Sequence, residues 1–187
     1  TRGHSIDNYW VTSASFISFI IHTHPVPVSA AYLRKIESHY VAILQFSAAY
    51  SLACKNLSVV VRANEMLSHE NIVLNNSFFA ASYCIDNKIL ARGQPCNLYE
   101  ATNSLLDQTK QFEQDRLQWM CHGHLGEQAI RACIGKLAQV EGYDAATIAS
   151  IEFGFKIEKL KLDSEHVTTL PEESSTPLNQ VLHWIRA

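Results

Sequence analysis

The chain has 187 residues, of which 47% are apolar, enough to bury a sizeable core and to set it apart from a disordered tail. A formal net charge of -3 gives no general attraction to nucleic acid, so any such partner has to be met by a local patch of cations. Five cysteines form no Cys-x-x-Cys pair, which suits reduced thiols in a cytoplasmic protein and not a disulfide framework, and no apolar run reaches the ~18 residues needed to cross a bilayer.

The first ten residues, Thr1 to Trp10, crowd polar groups among anchoring aromatics. Arg2 is a permanent cation with a planar fork of donors, Gly3 relaxes the backbone, and His4 and Asp7 can titrate or ligate a metal. Such groups suit the border of a phosphate or metal site. They equally suit a helix start capped by Ser5 and pinned to a core by Ile6, Tyr9 and Trp10. An apolar segment then runs to Ile21 and is read as a helix, although its periodicity fits a buried strand as well. It leads into His22-Thr-His24-Pro25, not into a small-residue cleavage site, so a secretory signal is not expected.

From Ser29 onward Tyr32, Leu33, Ile36, Tyr40, Ile43, Leu44 and Phe46 recur every three or four positions, which predicts one long amphipathic helix reaching the low fifties. Lys55 to Leu67 repeats the spacing and predicts a second helix or a continuation. Ser68-His-Glu-Asn and Asn75-Asn-Ser read as breaks, and the type of Phe78 to Leu90 stays open. Asn97 is expected to cap a polar helix from about Leu98 to Trp119, exposed along most of its length. Gly123 and Gly126 loosen the chain before a regular helix from Glu127 to Gln139, Asp144 caps another through Ile151 to Phe155, and Leu178 to Ile185 closes the chain as a last helix. The fold class expected is mainly α, with few or no strands.

Several motifs carry chemistry. His22 and His24 match the His-x-His-Pro of zinc hydrolases, and an extended backbone would set both rings on one face, but the aspartate that completes such a site is missing downstream. Cys121, His122, His124 and Cys133 are zinc-ligand types without a standard spacing, and buried thiols are the other reading. No nucleophile elbow and no glycine-rich phosphate loop occurs.

Two stretches together resemble a known family. His4-Ser5-Ile6-Asp7-Asn8-Tyr9, followed after a helical region by Gly123-His124 opening a helix, is similar to the OLD-type TOPRIM nuclease subunits that bacteria encode beside an ABC-like ATPase. The resemblance implies that residues 1–27 follow a metal-binding strand and that 28–187 form a helical C-terminal domain of an α/β protein. It further implies a magnesium-dependent nuclease of anti-phage defence, cutting tRNA or DNA when an ABC-type ATPase partner releases it, as a single subunit or as a homodimer. Asp7 and His4 would then support the metal centre, with Asp7 a possible ligand, while Arg2 and His124 would contact nucleic acid. Asp7 stands where the family has glutamate, and Leu125 where an aspartate commonly follows the Gly-His pair. The chain holds no Asp-x-Asp, so the principal ligands are expected upstream of Thr1. The rival expectation is a helical interaction module without chemistry, its histidines and cysteines structural.

Overall fold

The computed structural model describes residues 28–59, 67–88, 90–91, 94–121 and 123–152. Within them the chain is mainly helical, with two small antiparallel hairpins. No described helix is long and apolar enough to cross a membrane.

The first helix, α1 (Ala30–Ser38), starts where the Ser29 hydroxyl accepts the Tyr32 N–H at 3.1 Å. It stops at His39, which leaves helical geometry with φ -102° and ψ 7°, and α2 (Tyr40–Asn56) begins at once. The single helix expected from the apolar spacing is therefore two. The His39 ring braces the break, because its Nδ1–H donates to the Lys35 carbonyl at 2.8 Å alongside the His39 backbone N–H, which reaches the same carbonyl at 3.1 Å. Helix α2 is buried over most of its circumference, from Tyr40 through Phe46 and Tyr50 to Cys54. Its small residues Ala48, Ala49 and Ala53 let neighbours approach closely, and the helices at 98–109, 114–120 and 123–140 and the strand at 78–81 all pack on it.

The expected helix over Lys55 to Leu67 does not continue from α2. Ser58 turns into the left-handed region at φ 53°, and the Val59 N–H reaches back to the Cys54 carbonyl at 2.9 Å, a Schellman closure of the helix end. Residues 60–66 lie outside the described ones. A 3-10 turn, His69–Asn71, follows, held by Asn71 Oδ1, which accepts both the N–H and the hydroxyl of Ser68 at 3.0 and 3.1 Å. Then β1 (Ile72–Asn75) pairs with β2 (Phe78–Ala81) in the register Ile72–Ala81 to Asn75–Phe78, around Asn76 at φ 52°. The Asn-Asn-Ser break is thus a hairpin turn. The open stretch after it is a strand and a 3-10 segment, Tyr83–Lys88, before the two-residue strands β3 (Leu90–Ala91) and β4 (Gln94–Pro95).

Asn97 caps α3 (Leu98–Thr109) as expected, accepting the Glu100 N–H at 3.2 Å. This helix ends ten residues short of Trp119. The Thr109 hydroxyl donates to the Leu106 carbonyl at 2.9 Å and Phe112 N–H to that of Thr109, which closes the turn and restarts the chain as α4 (Gln114–Met120). The restart brings Leu117 into the core, and Leu98, Thr102, Leu106 and Thr109 are buried on α3, so the segment is less exposed than its polar composition suggests. Helix α5 (Gly123–Val140) begins four residues before the expected Glu127 and crosses α2. Gly126 is needed there because a Cβ would come within 2.9 Å of the Cys121 backbone carbon. Gly142, at φ 86°, ends α5 with Tyr143 N–H on the Ala138 carbonyl, the same closure Ser58 makes for α2. Asp144 Oδ1 accepts the Thr147 N–H at 2.7 Å and starts a helix over 145–152, designated α6, with Ile148 and Ile151 in the core. That exposed cap holds the Asp144 carboxyl below its usual range through the Thr147 hydrogen bonds.

Candidate functional site

Of the residues the sequence singles out, Arg2, His4, Asp7, His22 and His24 lie outside the described residues, and so does His122. Gly123 and His124 are the first two residues of α5. The two cysteines of the zinc reading are core residues. Cys121 Sγ–H donates to the Leu44 carbonyl at 3.7 Å, and burial pushes its thiol up to about 12. Burial likewise raises Cys133 well above the usual thiol range, with Cys121 adding to the shift. A protonated, fully buried thiol packs as a small apolar side chain. Among the described residues no three His, Cys, Asp or Glu groups stand together to hold a metal.

Besides the Lys35–Glu141 ion pair, the described residues bring together an imidazole and a carboxylate that the spacing gave no reason to expect. His69, in the 3-10 turn before β1, meets Glu152, in α6, across 83 positions of sequence. Glu152 Oε1 accepts twice from the same residue, from the backbone N–H at 3.2 Å and from Nδ1–H at 3.0 Å. The two side chains are only 15% and 18% exposed. The approach is possible because α5 passes beneath with Gly135, where a Cβ would overlap the Glu152 carboxylate. Alongside, the Tyr32 hydroxyl donates to the Ile134 carbonyl at 3.1 Å, and the Tyr143 ring stands edge-on to Tyr32 at 5.4 Å. Burial raises the Tyr32 phenol, with Tyr143 and then Glu152 adding to the shift. Lys136, one residue beyond Gly135, is lowered by burial, an effect that Glu70 opposes.

Chemically, a carboxylate on Nδ1–H fixes the tautomer of an imidazole and leaves Nε2 as the proton acceptor, the arrangement of an oriented base or of a supported ligand. Mechanically, the same bonds fasten the hairpin's lead-in to the helix at 145–152. In the sequence His69 lies in a stretch read as a break and Glu152 in a helix interior, so no local pattern joins them. Only the packing of both against α5 does so.

A second polar group is internal. Tyr50 donates to Gln128 Oε1 at 3.1 Å between α2 and α5, and Gln118 Nε2 donates to the Tyr40 hydroxyl at 3.0 Å between α4 and α2. These bonds satisfy buried phenols and set the helices' register.

The fold and these groups define a mainly helical protein built on one buried helix, with an imidazole held by a carboxylate at its edge. No protein-family model matches the chain, and no curated protein matches it either.

Proposed function

We propose that the chain is the helical part of a metal-dependent nuclease of bacterial anti-phage defence, resembling the OLD-type TOPRIM subunits and kept in check by an ABC-type ATPase. What supports it is the occurrence in one sequence of the His4-to-Tyr9 segment and, further on, of Gly123-His124, the latter opening an 18-residue helix. The first turn of a helix has amide N–H groups without intrahelical partners, and its dipole favours a phosphate there. On this reading Arg2 and His124 contact nucleic acid, His4 and Asp7 support the centre, and the protein works in the cytoplasm.

Magnesium is the ion this reading requires. The described residues by themselves do not form a site for it, so no step is routed through the metal. Its carboxylates belong to residues outside those described.

The test is Asp7→Ala and His124→Ala in the complete protein. Each is expected to lower magnesium-dependent cleavage of tRNA or DNA by roughly tenfold or more, with the melting temperature unchanged. Cleavage at the wild-type rate in both variants overturns the proposal.

A second reading, a helical interaction module without catalysis, is supported by the state of the described titratable groups. Cys54, Cys121 and Cys133 are thiols in the core, and His69 is engaged with Glu152. This reading expects the complete protein to bind its partner and to leave nucleic acid intact at any magnesium concentration.

A further inference from the structure

We draw no further inference here: the strongest candidate, the His69–Glu152 pair between the turn before β1 and the helix at 145–152, belongs to the site already described, and the described residues around it supply neither a nucleophile nor a third ligand that would define what it acts on.

Discussion

Asn103 stands in for the strand that β2 lacks on its outer side: its Oδ1 accepts the Ala81 N–H at 2.9 Å and its Nδ2 donates to the Ala81 carbonyl at 3.0 Å. In an antiparallel hairpin alternate residues turn their peptide groups away from the partner strand. Ala81 is such a residue, and α3 supplies an amide where a third strand would otherwise run. Asn103→Leu leaves both groups in a part-buried place without a partner and is expected to cost about 2 kcal/mol. Asn103→Asp keeps the acceptor, loses the donor, and should fall between Leu and wild type. Urea unfolding of the three proteins checks the order, and equal midpoints would show that the clamp contributes nothing.

Gly135 and Glu152 share one space, which makes their substitutions non-additive. Glu152→Ala removes the acceptor from two donors and is expected to destabilise by about 2 kcal/mol, whereas Gly135→Ala forces the same carboxylate off His69 but gains about 1 kcal/mol of helix propensity, a net loss of about 1 kcal/mol. In the double variant the alanine at 135 has nothing to displace. There it should stabilise by about 0.5 to 1 kcal/mol, the helix-interior preference for alanine over glycine, a reversal of sign that a double-mutant cycle measures directly. Simple additivity would mean that the contact is not what excludes a side chain at 135.

Helices α2 and α5 end by the same closure with different residues in the left-handed position. Ser58, with φ 53°, is strained where Gly142, with φ 86°, is not. Ser58→Gly is expected to stabilise by about 0.5 to 1 kcal/mol, and Gly142→Ala to destabilise by a similar amount. A Cβ at Gly142 would touch nothing within 4 Å, so the loss there isolates the backbone term. Opposite signs of the shift in melting temperature are the required result.

Burial raises the thiols of Cys54 and Cys121 from 9.0 to about 12. Below the unfolded value both states hold the proton and stability is unaffected. Above it the unfolded chain ionises first, so stability is lost progressively as pH rises from 9.0 towards 12. Native protein at about pH 8 should alkylate at the half-buried Cys84 and Cys96 and leave Cys54, Cys121 and Cys133 unmodified until it unfolds. Rapid native labelling at Cys121 would contradict the buried thiol and reopen its use as a ligand.

Local rules were enough to read much of this chain. Ser29, Asn97 and Asp144 mark helix starts in the sequence and cap them in the structure, because a short polar side chain satisfies its own helix's first amides whatever surrounds it. The mainly helical class followed from apolar spacing in the same way. Tertiary packing decided the interruptions. His39 breaks one predicted helix and the turn after Thr109 another, each where a side chain adds a second donor to a carbonyl at the helix end. It also decided that β2 is closed by Asn103, that Cys121 and Cys133 are core, and that His69 meets Glu152. Those relationships join residues from different elements, and periodicity within a segment carries no information about what lies across from it. Capping and amphipathic spacing act over a few residues and are written in order along the chain, whereas the pairing of a histidine with a glutamate 83 positions away exists only once α5 lies between them with a glycine at the crossing.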